Sequence, residues 1–245
     1  MVKFASRLLV AASFAFAALA HAQSDYPAKP VRVIVGLAPG GGTDIVARML
    51  TQKLSENLGR TFIVDNRPGA GGTTAYTLAA KAPADGYTLV AVASGYSITP
   101  SVYKNLPYDP IKDFAPVSLV MEAPMLLLTH PSVPVRTIKE LTTLLRVKPG
   151  TVDFAFAGFG ASTHMALALF TTLGNFKVTS VPYKGTGPAL TDVVAGQVHA
   201  LFANILSGLP YAKAGRLRAL AVTSHKRSRV LPDLPMVAER SEEHT

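Results

Sequence analysis

The stretch Val31-Arg-Val-Ile-Val-Gly-Leu-Ala-Pro-Gly-Gly-Gly-Thr-Asp44 decides the fold. An apolar, β-branched run ends in three consecutive glycines and a Thr-Asp pair, and the helical period of 45–58 follows at once. A strand, a glycine loop and a helix in that order aim unpaired backbone N–H groups past the strand's end, where an anion can sit. The spacing nearly spells a nucleotide P-loop: Gly36, four residues, Gly41, then Gly42 where a lysine belongs, then Thr43. Without that lysine the phosphate reading loses its cation.

Downstream of this loop the same alternation continues. The periodicities predict a strand over 31–36, a helix over 44–58 closed by Gly59, and a strand over 61–65. A second glycine loop, Gly69-Ala-Gly-Gly72, opens a helix over 73–82; the turn Pro83-Ala-Asp-Gly86 leads to a strand over 87–93. That β-α-β-α-β order is half of a doubly wound sheet. Ligands of such sheets bind outside the carboxyl ends of the strands, which groups both glycine loops with Ser94-Gly-Tyr96. A Pro-rich, aromatic connection over 103–116 precedes a strand at 125–129, and the alternation resumes with a helix over 137–146 and a strand over 151–157. The loop Gly158-Phe-Gly-Ala-Ser-Thr163 then opens a helix over 164–173. A strand over 178–183, the loop Lys184-Gly-Thr-Gly187, a helix over 188–195, a strand over 198–204, a short helix near 209–214 and a strand over 217–223 complete the pattern. The expected fold is α/β, in two domains with mainly parallel sheets and flanking helices, whose facing loops present helix N-termini to a shared cleft.

Lys3 and Arg7 precede an apolar segment over 8–20, and Ala20-His-Ala22 has the small-x-small form of a signal peptidase site, so residues 1–22 are expected to be a cleaved export signal. The apolar part is far shorter than the roughly 20 residues of a membrane span. Loss of Lys3 and Arg7 takes the formal charge from +9 to about +7, a field that favours anionic partners. Nucleic acid is disfavoured: the bases are scattered, with a cluster only at Lys226-Arg227 and Arg229, and no aromatic residues interleave them. The chain contains no cysteine, which excludes a disulfide framework, a thiol nucleophile and a thiolate metal site. No Gly-x-Ser-x-Gly or His-Glu-x-x-His motif occurs, and Ser101-Val-Tyr-Lys104 stands without a Lys-Thr-Gly partner. Neither a catalytic residue, a metal nor a cofactor is expected.

Several motifs then occur in a fixed order: Pro39-Gly-Gly-Gly-Thr-Asp44, Asp65-Asn-Arg-Pro-Gly-Ala-Gly-Gly72, Asp85-Gly-Tyr87, Leu106-Pro-Tyr-Asp-Pro-Ile-Lys-Asp-Phe114, Ser162-Thr-His164, Val181-Pro-Tyr-Lys-Gly185, Gly196-Gln-Val198, Leu217-Arg-Ala-Leu-Ala-Val-Thr-Ser224 and Leu234-Pro-Met-Val-Ala-Glu239. In this order they resemble the Bug or TctC-type periplasmic solute receptors of tripartite tricarboxylate transporters. The resemblance implies a two-domain periplasmic binding protein, a Venus flytrap, that closes on a carboxylated solute and hands it to the membrane subunits of such a transporter, acting as a monomer. It implies domain 1 over 23–120, with 218–239 returning to it, and domain 2 over 121–217. It also implies a pincer of backbone N–H groups and waters, with Gly41, Gly42, Thr43 and Asp44 as one jaw and Gly160, Ala161, Ser162 and Thr163 as the other. Hydrogen bonds to a charged acceptor contribute about 1.5–3 kcal/mol each, enough for four to support micromolar binding.

Around these jaws several residues carry two readings. Asp44 orients a water on the ligand or caps the helix after it; the loop ending at Gly72 lines the cleft or is a plain turn. Ser94 and Tyr96 are candidates for the distal ligand group, Lys184 adds positive potential or faces solvent, and His164 contacts ligand or supports the jaw. Many relatives carry aspartate at the positions of His199 and Ala203, so here fewer carboxylates await a ligand ammonium, which favours plain organic acids over amino acids. A receptor that reports its solute to a membrane sensor kinase is the alternative output. Relatives also continue for several tens of residues past Glu239, whereas Arg240-Ser-Glu-Glu-His-Thr245 matches the translation of a common sequencing-library adapter, so 240–245 is expected to be a non-native tail with domain 1 incomplete.

Overall fold

The computed structural model describes residues 26–228 and 230–240. The expected signal peptide 1–22 and the tail residues 241–245 lie outside the described residues. Two sheets organise the rest. The first has the order β2-β1-β3, all parallel, from β1 (Val31–Val35), β2 (Phe62–Asn66) and β3 (Thr88–Ala91). Its centre is the quoted stretch: β1 is almost wholly buried because helices cover both of its faces. Val33 and Val35 pack with Ala47 of α1 (Gly42–Leu58), and Ile34 packs on the opposite side with Ala75 and Tyr76 of α2 (Thr73–Ala80). A strand covered on both sides reads as a continuous apolar run, which is why Val31-Arg-Val-Ile-Val35 identified the fold. Helix α1 stops where Gly59 takes a left-handed turn with φ 61° and donates its N–H to Ser55.

The second sheet has the order β6-β5-β7-β4-β8, from β4 (Met125–Thr129), β5 (Asp153–Phe156), β6 (Thr179–Pro182), β7 (Ala200–Asn204) and β8 (Arg218–Val222). Strands β5, β6 and β7 are parallel, and β4 runs antiparallel to both β7 and β8. One face packs Phe154, Phe156 and Phe202 against α4 (Ile138–Val147) and α5 (Ser162–Gly174); the other packs Leu126, Leu128 and Leu201 against α6 (Thr186–Val194) and α7 (Ile205–Lys213). Helix α4 starts with a reciprocal capping box, in which Thr137 and Glu140 bond each other's backbone N–H.

Two expectations are corrected here. Residues from 218 do not return to the first sheet: β8 pairs with β4, with Leu127 opposite Ala221, and Met236 bridges Val222. Leu220 enters one core of the second sheet and Val222 the other, so this strand needs a position covered on both sides, which the free edge of β4 supplies. A further helix, α3 (Gly95–Val102), also forms directly after β3, where only a strand end and a connection were expected.

Candidate functional site

All three strands of the first sheet are parallel, as are β5, β6 and β7, so each group delivers its loops to one end. These two ends face each other. The contacts between them are close because glycines line both sides. A Cβ built on Gly42 would stand 2.6 Å from the Cβ of Asn204, and one on Gly95 would stand 2.7 Å from the Gly160 carbonyl oxygen. A Cβ on Gly71 would overlap the Phe159 carbonyl, and one on Gly187 the Pro39 carbonyl. Two hydrogen bonds also cross: the Ala38 N–H donates to the Lys184 carbonyl at 2.9 Å, and the Tyr103 hydroxyl donates to the Phe159 carbonyl at 3.2 Å. Between these contacts lies a cavity of about 250 Å³, bounded by Leu37, 69–71, Tyr103, 157–159 and 182–184.

None of the eight expected jaw residues is among those that line this cavity, and the two jaws do not meet each other. Gly41 and Gly42 lie against Thr186 and Asn204 at the starts of α6 and α7, while 160–162 lie against Gly95 at the start of α3. Within the jaws, hydrogen bonding sorts the residues. Asp44 is only 3% exposed, and its carboxylate accepts from the Gly40 N–H (3.0 Å), Arg48 Nε (3.0 and 3.1 Å) and Asn66 Nδ2 (2.9 Å). Burial, the largest single influence, pushes this carboxyl's pKa up, but Arg48, the Gly40 amide and Asn66 together outweigh it and hold the pKa below the ordinary value. Asp44 is not the cap residue of α1; Gly41 holds that position in extended conformation, and Asp44, three residues on, ties back the loop before it.

In the second jaw the Gly160 N–H donates to His164 Nδ1 at 3.3 Å and the Ala161 N–H to the Gly158 carbonyl at 3.1 Å, so both amides are engaged. The Thr163 hydroxyl accepts the Ala157 N–H at 2.9 Å and pins the loop to the end of β5. Replacing it by valine leaves a buried amide unpaired; Thr163→Val is expected to lower stability by about 1–3 kcal/mol in urea unfolding, and Thr163→Ser to restore most of it. The backbone N–H groups of Gly42 and Thr43 in α1, and of Ser162 and Thr163 in α5, belong to first turns and have no partner inside their helices.

Other expected residues lie elsewhere. Gly72 is buried against Gly36 and the Tyr76 ring, and the cavity wall is made instead by 69–71. The Tyr96 hydroxyl donates to the Pro110 carbonyl at 2.6 Å, and its ring sits edge-on to Tyr76 and Phe114 inside the first lobe. Ser94 is exposed at the start of α3, outside the cavity lining. Lys184 does line it. His164 stacks on Phe156 at 4.8 Å, and burial pushes its pKa down, so it supports the loop as a neutral ring. His199 pairs with Asp153 at the opposite end of the sheet, and Ala203 is fully buried in the core, so neither position faces the cavity.

A family profile described as "Tripartite tricarboxylate transporter family receptor", TctC, matches residues 46–244. The chain belongs to the TctC family. It is 38% identical over 220 residues to Protein BugT of Bordetella pertussis, covering 87% of this chain and 66% of that protein. Among solved structures, it matches periplasmic binding protein BugD with a TM-score of 0.85 at 37% identity, and Rpa4515 of R. palustris with adipate with a TM-score of 0.84 at 37% identity. Each match covers 87% of this chain and 72% of the other. The chain spans 64–66% of the length of three curated relatives that it matches. These likenesses establish the periplasmic-binding-protein fold for this TctC chain. Sequence reasoning missed the cavity walls Leu37, Tyr103, Phe159 and Tyr183. Only Phe159 carried a signal, as the one large apolar side chain inside the Gly158-to-Thr163 loop.

Proposed function

We propose that this TctC-family chain is a periplasmic receptor. It binds a carboxylated organic acid between its two lobes and delivers it, as a monomer, to the membrane subunits of a tripartite tricarboxylate-type transporter. Export by a signal peptide cleaved after Ala22 is part of this reading. The observation that carries it is the cavity itself: loops from both lobes enclose it, its lining segments 69–71, 157–159 and 182–184 each lead into a helix start, and among the described residues Lys184 is its one charged lining residue. Such a site attracts an anion without a fixed counter-ion partner. The R. palustris relative with adipate supports a carboxylate as that anion.

Within the jaws, the donors are the N–H groups of Gly42, Thr43, Ser162 and Thr163, with Lys184 adding positive potential. Asp44, Gly160 and Ala161 hold those donors in place and do not themselves grip the solute. Closure follows because the solute touches both lobes only when they approach.

Isothermal titration of the purified protein with adipate, and with adipamide as the uncharged control, tests this reading. Adipate binding without adipamide binding is the expected result, and adipamide binding as tightly as adipate overturns the carboxylate reading. Ser162→Pro makes the test local. Position 162 opens α5 and Ala161 before it is extended, so proline fits the helix start and removes one N–H donor. Adipate affinity is expected to fall about 10- to 150-fold, the worth of one hydrogen bond to a charged acceptor.

A further inference from the structure

We infer that the solute of this cavity is an aromatic carboxylate. The inference rests on the receptor reading above and concerns what the body of the solute meets once its carboxylate is held.

Three aromatic side chains from three separate segments line the space: Tyr103 at the end of α3, Phe159 in the loop before α5, and Tyr183 just after β6. Leu37, Ala70, Ala157 and Pro182 fill in between them. Both tyrosine hydroxyls are committed elsewhere. Tyr103 donates to the Phe159 carbonyl at 3.2 Å and Tyr183 donates to Asp192 Oδ2 at 2.7 Å, so neither hydroxyl hydrogen is free for a solute. The Phe159 ring is itself held, edge-on to Phe156 at 5.2 Å and to His164 at 5.3 Å. It is a fixed wall although it is half exposed at the rim.

Chemistry at the walls therefore discriminates. Among the described residues no aspartate or glutamate lines the cavity, so an α-ammonium group would enter without a counter-charge. A hydroxyl on the solute would find both tyrosine hydrogens already given to other acceptors. A flat apolar ring meets edges and faces of other rings, the arrangement aromatic pairs prefer. The space of about 250 Å³ holds roughly ten non-hydrogen atoms at the packing density of protein interiors, which suits a single ring with its carboxylate. A flexible diacid of similar size must also freeze several rotors to enter.

The test is isothermal titration of the purified protein with benzoate, adipate, malate and aspartate under one buffer condition. Benzoate is expected to bind tightest, about 10- to 100-fold tighter than malate, the range an apolar pocket achieves against added hydroxyls. Adipate, malate or aspartate binding more tightly than benzoate overturns the inference while leaving the receptor reading intact. If none of the four binds, the receptor reading fails and this inference fails with it. Phe159→Ala gives the local control. It is expected to weaken benzoate about tenfold and malate by less than about twofold, since the substitution removes a ring and no polar group. An equal loss for both acids would show that Phe159 shapes the loop without recognising a ring, and would overturn the assignment.

Discussion

Gly42→Ala is expected to weaken adipate binding by a hundredfold or more while leaving the protein as stable as before. Residue 42 is the first position of α1, and its φ is not in the left-handed region, so alanine suits the local backbone. In a helix, alanine is favoured over glycine by up to about 1 kcal/mol. The obstacle lies across the cleft: a Cβ at 42 would stand 2.6 Å from both Cβ and Cγ of Asn204. Asn204 has little room to yield, because its Oδ1 accepts the Leu206 N–H at 3.0 Å and caps α7. Opening the lobes relieves the overlap at no cost to either core, so the substitution disfavours the closed form alone. A solute that needs both lobes then loses whatever closure contributed, and two decades of affinity correspond to about 2.7 kcal/mol. Titration calorimetry and a thermal melt of the same sample check both halves. The double substitution Gly42→Ala with Asn204→Ser, which keeps a capping oxygen on a shorter side chain, should recover much of the affinity. A parallel fall in melting temperature would mean that the glycine serves folding.

How far this arrangement is legible in sequence depends on the range of the contact. Elements whose signal is local were legible. The β1 run, the Gly59 stop and the glycine loops each carry their cause within a few residues. Helix α3 was not, because Pro100 interrupts it and Gly95 opens it, two residues that argue against a helix interior. With α3 unseen, Tyr103 at its end had no position, and a wall of the cavity stayed hidden. The placement of β8 was illegible for another reason. Its apolar run Ala219-Leu-Ala-Val222 says that both faces are buried, and only three-dimensional assembly decides which sheet edge buries them.

The jaws illustrate the same limit at the site. Glycine runs at strand ends correctly marked the loops that face each other, since close approach across the cleft requires residues without Cβ atoms. Which loop faces which was not legible: 41–42 meet the starts of α6 and α7, and 160–162 meet α3. The aromatic walls belong to no repeated pattern, and their hydroxyl partners lie 56 positions away for Tyr103 and 9 for Tyr183. Asp44 was visible as an acid after glycines, and Arg48 stands one helical turn from it. The decisive third partner, Asn66, comes from the end of β2, and its pairing exists only once β2 lies beside β1.

That triad sets the second large expectation. Asp44→Ala should cost about 2–4 kcal/mol of stability, which is below the 3–5 kcal/mol of a fully buried broken pair because the Arg48 side chain is 53% exposed and can find water. What remains is the unpaired Gly40 N–H and Asn66 Nδ2, the latter also donating to the Leu37 carbonyl at 3.0 Å. Leu37 and Gly40 frame the loop that leads into the first jaw, so loosening it should weaken adipate binding as well. The pH dependence fixes the mechanism. The Asp44 pKa in the folded protein lies below its unfolded value, so its stabilising contribution is fully present above the ordinary carboxyl range, about pH 4, and disappears as pH falls through the lowered value. Urea unfolding of the natural sequence and of Asp44→Ala should therefore differ most at neutral pH, with the gap narrowing below about pH 4 as the carboxylate takes up its proton. A gap of constant size from pH 7 to pH 3 would mean that the side chain contributes packing and not charge, and that the loop is held by something other than this carboxylate.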